Sequence, residues 1–202
     1  KNGTIVNADA TTRADVLVDG EKIALIGTDL AAEAGATADR TVDATGKWVI
    51  PGAIDVHTHM ELPFGGTAAK DTFETGTRAA AFGGTTTIID FAVQSRGKAL
   101  RDGLDAWHAK ADGNACIDYG FHMIISDVRD DVLAEMDTLV DEGVTTFKLF
   151  TAYPGVFYSD DGAILRAMQQ TAGNGGLIMM HAENGMAIDV VAGQTFAAGN
   201  TD

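Results

Sequence analysis

From residue 47 the chain alternates five times between a stretch that reads as a β-strand and a stretch that reads as a helix. Strands are expected at 47–57, 85–91, 117–126, 145–150 and 177–182, and helices at 72–82, 97–111, 129–142, 160–172 and 185–198. Ser126-Asp127 and Ser159-Asp160 are placed as caps of the third and fourth helices, and Gly143 as the stop of the third. Strands that alternate with helices pair in parallel and are covered by those helices, so the class is α/β. A doubly wound sheet satisfies this pattern. A (β/α)₈ TIM-type barrel is favoured, because polar residues recur at the C-terminal ends of the strands, where barrel active sites gather. A barrel of that kind takes roughly 250 residues, whereas this chain has 202. The expectation is a partial barrel, about five βα units of a longer protein. A complete five-stranded sheet is the alternative.

The first strand, Trp48-Val-Ile-Pro-Gly-Ala-Ile-Asp55-Val-His57-Thr-His59, ends in two histidines spaced i, i+2. Side chains alternate faces along a strand, so His57 and His59 point the same way. A buried parallel strand is apolar on both faces, and two imidazoles at its end need a partner. A divalent metal is the usual one, because neutral imidazole is a good ligand; a polar strand end is the plainer reading. The fourth strand carries Lys148 between Phe147 and Leu149-Phe150, and the fifth ends in His181. A buried ammonium is costly. Lys148 therefore reads either as an edge residue reaching water or as a lysine held neutral by burial and nearby metal charge. A neutral lysine can add CO2 to become a carbamate able to bridge two cations.

Ahead of these units, residues 3–8, 14–19 and 22–28 read as short strands, with Asp19-Gly20 as a hairpin turn and 41–46 as a further strand and turn. Such a small module is too short to hold a core comfortably by itself. Hydrophobic content of 46% with 21% charged residues describes a globular chain. The net charge of −15 argues against nucleic acid and anionic membrane surfaces as partners and reads as a solvated exterior. No apolar run reaches the length of a membrane span. The lone Cys116 rules out an internal disulfide, suits a reducing, cytoplasmic setting and is placed as a buried structural thiol. No signal peptide is visible, and the chain begins Lys1-Asn-Gly without Met, so a natural start upstream is expected.

Taken together, Pro51-Gly-Ala-Ile-Asp-Val-His-Thr-His59, Pro63-Phe-Gly-Gly66, Gly83-Gly-Thr-Thr-Thr87, Phe147-Lys-Leu-Phe-Thr-Ala-Tyr-Pro154 and His181-Ala-Glu-Asn184 resemble the cyclic amidohydrolases. Their hydantoinase/dihydropyrimidinase branch is the nearest in pattern, and the motifs run in its order over nearly the whole chain. The resemblance implies a composite of β-sandwich and (β/α)₈ barrel with two divalent metal ions, usually zinc. Residues 1–46 would then be the N-terminal part of the sandwich domain and 47–202 the first βα units of the barrel. By the same resemblance His57 and His59 bind the more buried metal, Lys148, carboxylated by CO2, bridges both, and His181 binds the second. Tyr153 resembles the tyrosine that donates its hydroxyl to the substrate carbonyl oxygen; a rim-packing aromatic is the plainer reading. The family's further His and Asp, from the sixth and eighth strands, find no position before Asp202, so activity of this stretch by itself is not implied. The family also implies a homotetramer. The implied reaction is hydrolytic opening of a cyclic amide by a metal-bridging hydroxide, with the oxyanion taken up by metal and Tyr153.

Substrate class follows from the segment after His59. Dihydroorotase-like relatives place an Arg there, whereas this chain has Met60-Glu61-Leu62-Pro63-Phe64. An acid disfavours an anionic ring, so a neutral 5-substituted hydantoin or dihydropyrimidine is expected. Met60, Leu62, Phe64, Val156, Phe157 and Tyr158 are candidates for an apolar pocket, or equally for packing between barrel and neighbouring subunit. An allantoinase-like enzyme is one alternative. A non-enzymatic scaffold that has lost its metal ligands is another, against which His57, His59, Lys148 and His181 all speak. His122 and His108 read as structural or exposed. Asp90 reads either as a residue orienting a ligand or as a cap. Gly65-Gly66 and Gly83-Gly84 lack any phosphate-loop context and read as turns. Glu183 and Asn184 are expected to shape the loop after His181.

Overall fold

The computed structural model describes residues 1–33, 35 and 37–200. Contacts divide the chain into two units, Lys1–Gly52 and Ala53–Asp202. In the first unit, β1 (Gly3–Val6), β2 (Thr11–Asp19), β3 (Lys22–Gly27) and β4 (Trp48–Val49) form one mixed sheet in the order β3-β2-β1-β4, with a one-turn helix α1 (Leu30–Glu33) after β3. The β2–β3 hairpin closes at Gly20, where φ is 59°. Among the described residues only Ile5 and Ala14 are buried apolar residues here, while Val18, Ile23, Leu25 and Ile26 stay exposed. This is the sparse core expected of so short a module. Residues 41–46 hold no strand. The Asp43 carboxylate instead takes the Thr45 hydroxyl, the Asn2 amide and the Thr45 N–H, which makes a turn and lowers its pKa to about 2.

The strand expected over 47–57 is two strands. Trp48–Val49 pairs with β1, and β5 (Ala53–Thr58) begins the second sheet. Ile50-Pro51-Gly52 lies between them. Pro51 has no N–H to give a ladder, which explains the break.

The second unit runs β5, the hairpin β6 (Pro63–Phe64) and β7 (Thr67–Ala68), α2 (Phe73–Gly83), β8 (Thr85–Val93), α3 (Leu100–Ala111), β9 (Asp118–Ile124), α4 (Asp130–Asp141), β10 (Thr146–Phe150), α5 (Asp161–Asn174), β11 (Leu177–His181) and α6 (Gly185–Ala197). Gly65 and Gly66 form the two-residue turn of the small hairpin, at φ 61° and 80°, a conformation that other residues resist. All strands of the main sheet are parallel, in the order β11-β10-β9-β8-β5. Each strand lies beside its predecessor and the order never reverses. A doubly wound sheet needs such a reversal; a barrel does not. The sheet is a parallel five-strand half-barrel.

Alternation along the strands sorts the side chains into two layers. Ile88, Ala92, Phe121, Met123, Phe147 and Leu149 pack with helix residues such as Phe73, Leu104 and Met136 in the larger core. Phe91, Ile124 and Phe150 face the other way and meet Phe157, with Met179 against them. β5 is exposed over most of its length, Ile54 at 62% and Val56 at 54%, which corrects the expectation of a buried first strand. It is the last strand in the sheet order, so no neighbouring strand among the described residues covers its outer side.

Two local expectations also change. Asp160 caps α5 through Ala163 N–H, but α4 begins after Arg129 without a side-chain cap. Ser126 and Asp127 are engaged elsewhere, both backbone N–H groups donating to the Gln94 side chain. Cys116 is exposed rather than buried, in the bend before β9, where its N–H donates to the Thr77 hydroxyl. No helix among the described residues is long and apolar enough to cross a membrane.

Candidate active site

The layer away from the helices carries the chemistry. His57 and His59 lie on it at the end of β5, with ring centroids 5.1 Å apart, and both rings rest on Phe91, at 4.8 and 4.9 Å. The Lys148 Nζ sits 4.5 Å from the centre of the same ring and 5.2 Å from that of Phe150. His181, at the end of β11, stacks on Phe150 at 5.5 Å. Strand parity puts His57, His59, Phe91, Lys148, Phe150 and His181 together, because each occupies the alternate position facing away from the helix layer.

The electrostatics follow from that crowding. Burial lowers the His57 pKa, with the Lys148 charge next and His181 adding, against a smaller opposite pull from Asp55. His57 is exposed as a whole residue, but its ring lies on Phe91, and that face is the desolvated one. Burial lowers His59 as well, with the His57 charge second, Asp90 opposing and Lys148 adding. Lys148 is 6% exposed, has no ion pair among the described residues, and burial alone lowers its pKa.

The His59 Nδ1 is buried and has no hydrogen-bond partner among the described residues. An orphaned polar atom of that kind costs about 1–3 kcal/mol. Two imidazoles held toward neutrality, an unpartnered ring nitrogen and an unpaired lysine suit the donor set of a cation site. Among the described residues no three His, Cys, Asp or Glu side chains stand close enough to hold a metal by themselves. The His181 Nε2 is bonded to Glu183, so His181 would have to leave that partner to bind anything else.

Tyr153 lies in the loop after β10, at φ 59°, its ring 5.3 Å from His181 and 5.2 Å from Phe64. A left-handed backbone at a non-glycine residue is uncommon and costs energy that the surroundings must offset. Here the Tyr153 carbonyl accepts the N–H groups of Val156, Phe157 and Tyr158. Phe64 stacks with Phe157 at 6.1 Å, so Phe64, Tyr153 and Phe157 form one aromatic group. Leu62 packs with Met60 against the larger core instead.

His122 is buried, its Nδ1 on the Thr146 hydroxyl and its Nε2 2.9 Å from the Val56 carbonyl oxygen, a structural tie between β9 and β5. His108 lies on the outer side, edge-on to Phe121 at 5.0 Å. Asn184 caps α6 through Ala187 N–H. The sequence reading missed Phe91, the platform under three candidate ligands, because an apolar residue in an apolar strand carries no local signal. It also missed Gln94, whose side chain and carbonyl tie the ends of β8 and β9.

The fold defines the class: a parallel five-strand half-barrel with helices on one side, part of a TIM-type barrel. Residues 48–199 match the Amidohydrolase family, and the chain belongs to that family. It is homologous to D-hydantoinases and dihydropyrimidinases. The whole chain aligns with a D-hydantoinase of Streptomyces coelicolor at 66% identity, covering 44% of it, and with a dihydropyrimidinase of Rattus norvegicus at 40% identity, covering 39%. The solved structure of a dihydropyrimidinase from Brevibacillus agri superposes over the whole chain with a TM-score of 0.96 at 48% identity, covering 43% of that protein. The chain thus spans less than half the length of these relatives.

Proposed function

We propose that the protein containing this chain opens a neutral cyclic amide by hydrolysis, a 5-substituted hydantoin or a dihydropyrimidine, with two divalent metal ions, zinc foremost. The observation that carries this reading is the convergence of His57, His59 and Lys148 on one buried ring, with the His59 Nδ1 left unpartnered. The kinship to D-hydantoinases and dihydropyrimidinases supports the substrate class.

His57, His59, Lys148 and His181 would hold the metals. Burial favours the neutral amine of Lys148, and a neutral amine adds CO2 with loss of one proton to give a carbamate. When bound, such cations lower the pKa of water to about 7 and polarise an amide carbonyl. The tasks of the chain's own residues follow. Tyr153 donates its hydroxyl to the substrate carbonyl oxygen as charge develops there. Phe64 and Phe157 offer an apolar wall to the exocyclic substituent, and Leu62 braces that loop against the core. Glu61 and the lack of any Arg between His59 and Phe64 favour an uncharged ring. The resemblance extends the reading to a homotetramer, and the single cysteine to a reducing cytoplasmic setting.

The test is turnover of hydantoin, dihydrouracil and dihydroorotate by the longest natural polypeptide containing this chain, with and without chelator. Chelator-sensitive opening of the two neutral rings is expected. Preference for dihydroorotate would overturn the substrate class, and turnover unaffected by exhaustive chelation would overturn the metal reading. Phe64→Ala is expected to change the preference among 5-substituents; an unchanged preference would remove Phe64 from the pocket.

A further inference from the structure

The β-ladder is irregular under the histidine pair, and its last pairing there is Thr58 with Asp90. The register between β5 and β8 slips between Asp55 and Thr58, across the segment that carries His57. What takes over is one carboxylate. Asp90 on β8 is fully buried, facing the helix layer on the side opposite His57 and His59. Its Oδ2 accepts the Thr58 hydroxyl at 2.8 Å and the Met60 N–H at 2.8 Å. Its Oδ1 accepts the Trp107 Nε1–H from α3 at 2.9 Å. Thr58 and Met60 flank His59, so the backbone is tied down on both sides of that ring. Asp90, within β8 and ten residues before α3, has no helix end to serve, which disposes of the capping role.

We propose that Asp90 is the positioning residue of the His57–His59 pair: by clamping Thr58 and Met60 it holds both imidazoles where they receive a divalent cation. The inference rests on the metal-binding reading above. Asp90 touches neither metal nor substrate; it acts through the two residues beside His59. A buried carboxylate with three donors leaves no room for an amide, whose NH2 would confront one of them. Partners of ligating residues placed behind them typically contribute about 10–100-fold in metal affinity.

The experiment measures the zinc dissociation constant by competition with a chromophoric chelator, and the melting temperature, on the full-length polypeptide. Asp90→Asn is expected to weaken zinc by about 10–100-fold. Thr58→Val, which removes one hydroxyl at nearly constant volume, should weaken it in the same direction, and Thr58→Ser should restore wild-type affinity. Trp107→Phe loses the tie to α3 but keeps both ties to the ligand segment, so it should lower the melting temperature and leave zinc affinity within about twofold. Zinc binding by wild type with unchanged affinity in Asp90→Asn and Thr58→Val overturns the proposal alone. Equal loss in Trp107→Phe and Asp90→Asn overturns it too, since stability would then be the cause. Absence of zinc binding by wild type overturns the underlying reading as well. If Asp90→Asn does not fold, the Thr58 pair decides.

Discussion

Lys148 occupies a position that is costly for a cation. It is nearly buried on an apolar platform with no counter-ion among the described residues, a position that favours the neutral amine. In the metal-free protein, Lys148→Met should therefore stabilise by roughly 1–2 kcal/mol while zinc binding is lost, read by thermal melting and chelator competition. The same variant tests the electrostatics. The Lys148 cation is the second cause of the lowered His57 pKa and the last of those at His59. In the metal-free protein the His57 titration midpoint, followed by NMR, should rise toward the ordinary value of about 6.5, and rise more than that of His59. Equal midpoints before and after the substitution would mean that burial alone sets them. A residue retained at such a cost to stability fits a trade of stability for function.

At the scale of elements, α3 is held by a group distant in sequence. α3 has Ala99 at its N-cap and no side-chain cap of its own; the Glu135 carboxylate from α4 accepts the Leu100 and Arg101 N–H groups at 2.7 and 2.9 Å. Glu135→Ala should cost about 1–2 kcal/mol, as loss of a charged cap does, measured by denaturant unfolding. α3 also lies very close to β8. A Cβ at Gly103 would stand 2.5 Å from the Val93 carbonyl oxygen and 2.8 Å from Met123 Cε. Ala has about 1 kcal/mol better helix propensity than Gly, but the obstacle is backbone and cannot turn aside. Gly103→Ala should thus destabilise by about 1–3 kcal/mol; stabilisation would show that α3 can shift without loss.

For the molecule as a whole, the faces left uncovered decide behaviour. β5 and β11 are the two end strands of the sheet, with Ile54, Val56 and Leu177 exposed on them. α6 exposes Met186, Ile188, Val190, Val191 and Phe196 and buries only Gly185. Unpaired strands and apolar patches of this kind promote association. A polypeptide of residues 1–202 alone should self-associate and unfold without a sharp reversible transition, as light scattering and thermal melts would read. A monomeric, reversible, cooperative transition would contradict this.

The sequence by itself determined the alternation of strands and helices, the parallel class and the common face of His57 and His59. These depend on periods of two and of about 3.6 residues, which are local properties of the chain. It also pointed to Lys148, since a cation amid Phe147, Leu149 and Phe150 is conspicuous wherever the strand sits. Only the tertiary structure decided the rest. Asp90 meets Thr58, Met60 and Trp107, and Glu135 meets Leu100, across separations of 17 to 35 residues, and nothing local marks such partners. The exposure of β5 and of Cys116 was decided the same way. Burial is a property of neighbours brought in by the fold, and an apolar stretch reads alike whether it is covered or lies at the edge of a sheet.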